Sequence, residues 1–284
     1  MSGVPTSQGA LQSYVDKWLA VQPQQRVALA FVDPAKYPGH VALAAFEQEL
    51  LAAAYGIREP QVAIGKLNWW AEELSGAAAS GGRHPLTQAL FADERAQAIP
   101  SERWLAPVLA AMEQLEQGTA ADFAAQIAAA EPLHGGLAAL ETAWWFGTGA
   151  ATERAARLAT LTHLLHALRR LQDDASRDRL PLPMARLARY GLSRGQLAQS
   201  GEARDQAIQA QLADLCDAWR EAERQPGPLS VFRGLEASVA GRLARRAARA
   251  DDPLARLQQG APATGFGLAM TAWRQARQWR RLVG

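Results

Sequence analysis

Apolar residues recur at three- and four-residue intervals along almost the whole chain, the spacing that keeps one face of a helix dry. The pattern predicts helices over about 8–21, 39–55, 61–76, 101–117 and 120–130, then over about 137–146, 152–175, 202–224, 229–250 and 265–281. Breakers punctuate them: Pro34 and Pro38, Pro60, the Gly81, Gly82 and Pro85 cluster, Pro132, the Pro181 and Pro183 pair, Pro226 with Pro228, and Pro253. No linker is long or biased enough to mark a boundary, so 1–284 reads as one helical domain. Helices stacked without strands bury their apolar stripes on one another, so a site is expected between helices in the bundle core.

Composition agrees with an all-α chain. It is 49% hydrophobic and 20% charged, a globular balance, and it is rich in alanine, leucine and glutamine, which favour helix over strand. Thirty basic residues nearly cancel twenty-eight acidic ones, leaving a formal charge of +2, so bulk charge argues no nucleic-acid role. Lysine occurs only at Lys17, Lys36 and Lys66. The arginine bias fits a compositional habit of the genome, although arginine also suits bidentate phosphate recognition. Cys216 is the lone cysteine, which excludes an intrachain disulfide and a cysteine-rich metal site. Asp16 and Lys17 fall where a signal peptide needs an apolar run, and no apolar stretch is long enough to span a bilayer, so a cytoplasmic location is expected. Arginines concentrate near the C-terminus at Arg242, Arg245, Arg246 and Arg249, and again at Arg274, Arg277, Arg280 and Arg281 beside Trp273 and Trp279. That mixture suits the inner face of a membrane or an acidic protein partner; the plainer alternative is a solvated face with the tryptophans turned inward.

Chemistry concentrates in 160–193, TLTHLLHALRRLQDDASRDRLPLPMARLARYGLS: an amphipathic helix, a charged end, a double-proline stop and a short helix. The segment resembles the second signature of the squalene/phytoene synthase family, in which a helix ends in two aspartates four residues apart, followed by an arginine-rich turn and a Tyr-Leu-Pro stop. The later Leu187, Ala188, Arg189, Tyr190, Gly191, Leu192 and Ser193 continue the likeness. Such carboxylates share a helix face and hold magnesium ions that draw off a substrate diphosphate, while an arginine clamps its oxygens. Aligned through the Asp-Ala and Leu-Pro steps, the family's later aspartate falls on Asp174 and its arginine on Arg179. The earlier aspartate falls on Arg170, which can pair with Asp174 one turn away. Asp178 and Pro181 also depart from the pattern. Asp173, Asp174 and Asp178 offer a displaced metal site, or alternatively a solvated helix end; Arg169 and Arg179 are candidate diphosphate ligands.

The first family signature, an aspartate-rich run after Ala-Phe, is represented by Ala45 and Phe46 followed by Glu47, Gln48, Glu49 and Leu50, with no aspartate. Glu47 and Glu49, two apart, point in different directions on a helix. The block from Gly65 to Leu90 matches a family stretch with paired tryptophans and a His-Pro loop, here Trp69, Trp70, His84 and Pro85, in the form typical of a divergent branch that includes a mitochondrial complex I assembly factor. Trp69 and Trp70 read as core packing or as aromatic faces for a developing cation; Glu72 and Glu73 read as a solvated pair or as a polar cavity lining. Glu141, Trp144 and Trp145 fall where the family has a pocket-lining helix.

The resemblance implies an isoprenoid synthase fold, one large helical bundle around a central cavity. It leaves three functions open: a non-catalytic binding or assembly protein; a magnesium-dependent prenyltransferase condensing two farnesyl or geranylgeranyl diphosphates; and an isoprenoid or lipid binder.

Overall fold

A computed structural model describes residues 7–175, 180–262 and 264–283. Every regular element among them is a helix. The first group runs α1 (Ser7–Val21), α2 (Gln25–Leu29), α3 (Pro38–Gly56), α4 (Pro60–Ser80), α5 (Pro85–Phe91), α6 (Glu94–Ala98) and α7 (Ser101–Glu116). Then come α8 (Phe123–Phe146), α9 (Glu153–Arg169), α10 (Leu171–Ala175), α11 (Met184–Arg189) and α12 (Arg194–Leu197). The chain finishes with α13 (Glu202–Ala222), α14 (Val231–Ala247), α15 (Pro253–Gln259) and α16 (Phe266–Val283).

The prolines that break the sequence pattern mostly open helices. Pro38, Pro60, Pro85 and Pro253 stand in the first turn of α3, α4, α5 and α15, where the missing N–H has no partner to lose and φ is already helical. Side chains close other starts: Asp122 accepts from Ala125 N at 2.8 Å, and Ser230 from Arg233 N at 2.9 Å, each satisfying an otherwise orphaned donor.

Two expected boundaries move. Pro132 does not divide 120–146; α8 runs through it, having lost one backbone hydrogen bond there. Tertiary packing favours its continuation, because Gly135 lets α8 approach Ala156 of α9 closely. A Cβ on Gly135 would stand 3.3 Å from the Ala156 Cβ. Conversely, the expected helix over 152–175 is interrupted at Arg170, whose φ of −94° and ψ of 14° leave the helical well, so α10 starts as a separate turn.

Two apolar clusters fill the interior. One gathers Phe46, Leu50, Trp70, Leu86, Trp104 and Trp144 from α3, α4, α5, α7 and α8. The other gathers Leu161, Leu165, Leu212, Trp219 and Leu243 from α9, α13 and α14. Helices α8 and α14 contribute to both clusters, with Leu137 and Leu235 in the first and Ala138 and Leu243 in the second. Charged side chains on their inner faces therefore have no route to bulk water and must be paired inside.

Candidate functional site

Such pairing occurs where α3, α8 and α14 meet. The Arg233 guanidinium donates from Nη2 to Glu47 Oε2 at 2.6 Å, from Nε to Glu141 Oε2 at 2.8 Å, and from Nη1 to Glu236 Oε2 at 3.2 Å. Each nitrogen thus serves a different carboxylate, one from α3, one from α8 and one from its own helix. Ser230, the N-cap of α14, donates its Oγ hydrogen to Glu141 Oε1 at 2.6 Å, so the positive end of α14 also faces that carboxylate. Gln22 donates to Glu236 Oε1 at 3.3 Å, and Gln25 to the Phe232 carbonyl at 3.1 Å. Burial pushes the Glu236 carboxyl up to about 7 and raises Glu47, in both cases against the pull of Arg233. Burial alone opposes the charge on Arg233, but Glu141, Glu47 and Glu236 hold its pKa well above the ordinary value. The cavity beside the group, lined by Trp18, Gln25, Glu47, Leu51 and Phe232 among others, has a volume of about 20 Å³, room for about one water.

Next to this group lies a stack of histidines. The His134 Nε2 and the Tyr55 hydroxyl share a hydrogen bond of 3.0 Å, and the His134 and His163 rings stack at 3.8 Å. Burial holds His134 well below its ordinary pKa, reinforced by His163, Arg233 and Arg170, so it is neutral at neutral pH. His134 therefore lies within electrostatic reach of both Arg233 and the segment around Arg170. In that segment Arg170 Nε stands 3.7 Å from Asp174 Oδ2, an ion pair one helical turn apart, with Asp174 nearly buried and Arg170 half-exposed.

A model of the squalene/phytoene synthase family matches residues 23–266. The chain belongs to the squalene/phytoene synthase family. Its fold is likewise similar to solved members. The squalene synthase HpnC from Alicyclobacillus acidocaldarius superposes with a TM-score of 0.59 at 15% identity, covering 97% of this chain and 99% of that one. A dehydrosqualene synthase solved with a ligand gives a TM-score of 0.71 at 11% identity, covering 97% and 98%. The isoprenoid synthase fold expected from the motifs is the fold observed. No curated protein sequence matches the chain.

Within that fold the sequence-derived candidates separate. Glu47, in the first family signature, is one of the three carboxylates on Arg233, whereas Glu49 faces Lys17 at 3.7 Å. Arg170 and Asp174 pair as their spacing predicts. Asp173 is exposed, and Asp178 and Arg179 lie outside the described residues. Arg169 is turned to the surface, where it donates to the Gln258 carbonyl at 3.3 Å. Among the described residues no group of three His, Cys, Asp or Glu side chains is arranged to hold a metal ion.

Trp70 is fully buried and meets Phe46 edge to face at 5.1 Å, and Trp69 sits under Lys66 Nζ at 5.2 Å; neither lines the cavity at Arg233. Glu73 is not a solvated partner of Glu72. It is buried and accepts from the Arg83 and His84 backbone N–H groups at 2.6 and 2.8 Å and from Thr87 Oγ1 at 2.6 Å. Burial raises its pKa, but those bonds outweigh it and bring the carboxyl down to about 2. Its task is to tie the His84–Pro85 loop to α4.

Arg233, Glu236 and the His134–His163 stack did not emerge from motif reasoning. A signal was present. Glu141 is the sole Asp, Glu, Lys or Arg between Pro132 and Phe146, and Arg233 and Glu236 interrupt an apolar run at a helix start. A lone charge on a dry helix requires an opposite charge on another one.

Proposed function

We propose that this member of the squalene/phytoene synthase family acts as a non-catalytic binding or assembly protein rather than as a magnesium-dependent prenyltransferase. The observation that carries the reading is the guanidinium of Arg233 seated among Glu47, Glu141 and Glu236. A divalent cation would have to share those carboxylates with a fixed positive charge, and at a few ångströms that repulsion outweighs what the remaining lone pairs return. Arg170 beside Asp174 repeats the substitution at the second signature. Magnesium therefore does not fit the described donor set.

Space argues the same way. A prenyl chain needs a pocket of about 300 Å³ or more, and the cavity at Arg233 offers about 20 Å³. A larger groove of about 550 Å³ runs past Gly201, Glu202, Asp205 and Asp251, but it is open and acid-lined, the wrong chemistry for a prenyl tail or a diphosphate. The paired tryptophans and the Ala45–Leu50 form of the first signature support placing the chain with the divergent, assembly-factor-like branch. Incubation with farnesyl or geranylgeranyl diphosphate and magnesium tests the proposal: no squalene, phytoene or presqualene diphosphate is expected, and formation of any of them refutes it.

A further inference from the structure

The exposed apolar residues of this protein are unevenly distributed. Val21, Val62, Leu109 and Met184 stand singly on α1, α4, α7 and α11, an ordinary scatter. Four more are on α16 alone: Phe266 at 81% exposed, Trp273 at 43%, Leu282 at 58% and Val283 at 49%. The inner stripe of α16 is complete without them. Leu268, Ala272, Ala276 and Trp279 are buried, with Trp279 set edge to face against Tyr37 at 5.0 Å and Trp145 at 4.8 Å. One tryptophan of the helix thus packs inward and the other outward.

Phe266, Met270 and Trp273 follow at i, i+4 and i+7, so they form one stripe away from the buried side, with Phe266 and Trp273 exposed and Met270 half-buried between them. Arg277 extends that stripe, its guanidinium 5.4 Å from the Trp273 ring, and Arg274 and Arg281 are exposed beside it. Arg280 is partly engaged with the Phe31 carbonyl at 3.4 Å. Charge is segregated here as well. Residues 253–284 contain five arginines and no acid, so thirty basic residues less these five leave twenty-five against twenty-eight acids elsewhere. The chain's small net charge hides a positive tail on a slightly negative body.

We propose that the outer face of α16 is a docking surface for an anionic lipid bilayer, with Phe266, Met270 and Trp273 entering the headgroup boundary and Arg274, Arg277 and Arg281 on the lipid phosphates. A stripe of aromatic and aliphatic side chains aligned with arginines, on a helix free of carboxylate side chains, is the chemistry of an interfacial helix. Among the described residues no helix is long and apolar enough to cross a membrane, so the contact is peripheral. The surface lies on a different helix from the Arg233 group, and it stands whatever the outcome of the prenyltransferase assay.

Sedimentation of the full chain with phosphatidylcholine vesicles, with and without about one quarter phosphatidylglycerol, tests it. Binding is expected to the anionic vesicles only and to be released by about 1 M salt. R274Q/R277Q/R281Q should lower partitioning on the order of a hundredfold, and F266S/W273S by at least about tenfold. These side chains are exposed, so melting temperatures should stay near that of the parent. Faster amide exchange in α16 without anionic vesicles than with them is the second readout. Equal binding to neutral vesicles, no binding at all, exchange in α16 unaffected by vesicles, or full binding by either variant overturns the proposal. So does capture of an acidic protein through α16 with no vesicle binding.

Discussion

Replacing Glu236 by glutamine should make the protein less sensitive to alkaline pH. Burial has raised the Glu236 carboxyl from an ordinary 4.5 to about 7. The folded state thus keeps a proton that the unfolded chain releases, and stability falls as pH rises through that window. The difference between 4.5 in the unfolded chain and about 7 in the folded one corresponds to about 3 kcal/mol. The contribution is fully present below about pH 4.5 and fully lost above about pH 7. Linkage over those two pKa values assigns about 2 kcal/mol of the loss to the interval from pH 5.5 to 8.5. Glutamine keeps an acceptor for Arg233 Nη1 at 3.2 Å. Its amide nitrogen meets the Gln22 amide that now donates to Glu236 at 3.3 Å, a cost on the order of 1 kcal/mol that does not vary with pH.

Urea unfolding followed by tryptophan fluorescence, at several pH values between about 5.5 and 8.5, gives ΔG for both proteins. Subtraction cancels the histidines, which titrate in each; Glu47 repels Glu236 across Arg233, so the difference reports these two carboxyls together. Relative to the parent, the variant should gain about 2 kcal/mol across the interval. A difference that stays constant with pH within about 0.5 kcal/mol, or that runs the other way, refutes the claim that Glu236 is held protonated by burial.

Other expectations follow from the same contacts. R233M strands three carboxylates against one another, so it should cost about 3–5 kcal/mol at neutral pH, with part of the loss recovered near pH 5 as they protonate; thermal unfolding at two pH values checks this. All five histidines have lowered pKa values, and buried His40 is brought down to about 4 by burial and Arg95. The unfolded chain takes up protons that the folded one refuses, so stability should fall as pH drops from about 6.5 towards about 4; H40F should flatten that limb in urea titrations, and an unchanged slope would count against it. G39A would place a methyl group 2.5 Å from Trp144 Cζ2 in the core. It should cost about 1–3 kcal/mol through overpacking, read as a lower urea midpoint at unchanged slope.

The fold was largely legible because the signals that set it are local. Apolar spacing placed the long helices, and prolines placed their starts. Pro132 misled because tertiary packing, including the close approach of Gly135 to Ala156, overrides a local breaker, and no window around Pro132 contains Ala156. The site was legible in part. Arg170 with Asp174 is a pair within one turn, so its spacing announced it. Arg233 with Glu47 joins residues 186 positions apart, and only the meeting of α3, α8 and α14 reveals that these charges belong together. Glu73 misled for a different reason. Beside Glu72 it looks like one of an exposed pair, whereas the helical turn of about 100° per residue sends its neighbour outward and Glu73 inward to the His84 loop.

The two arginines also differ in what they do to their surroundings. Arg170 is half-exposed and its contact with Asp174 is 3.7 Å, so solvent screens it and it contributes at most about 1 kcal/mol. Arg233 is buried and satisfied at all three nitrogens. Removing it would leave uncompensated charge, while its presence joins α3, α8 and α14 through side chains that only one geometry can bring together. A bound metal could do that joining only as long as it stayed bound, and its occupancy would vary with its concentration. A guanidinium supplied by the chain is always present. On the proposed reading, then, the carboxylates at the bundle centre hold helices together and no longer hold a leaving group. Helix docking in this protein should be indifferent to chelators: the melting temperature should be unchanged by excess EDTA and by millimolar magnesium, and a rise of several degrees with magnesium would mean that a cation site persists.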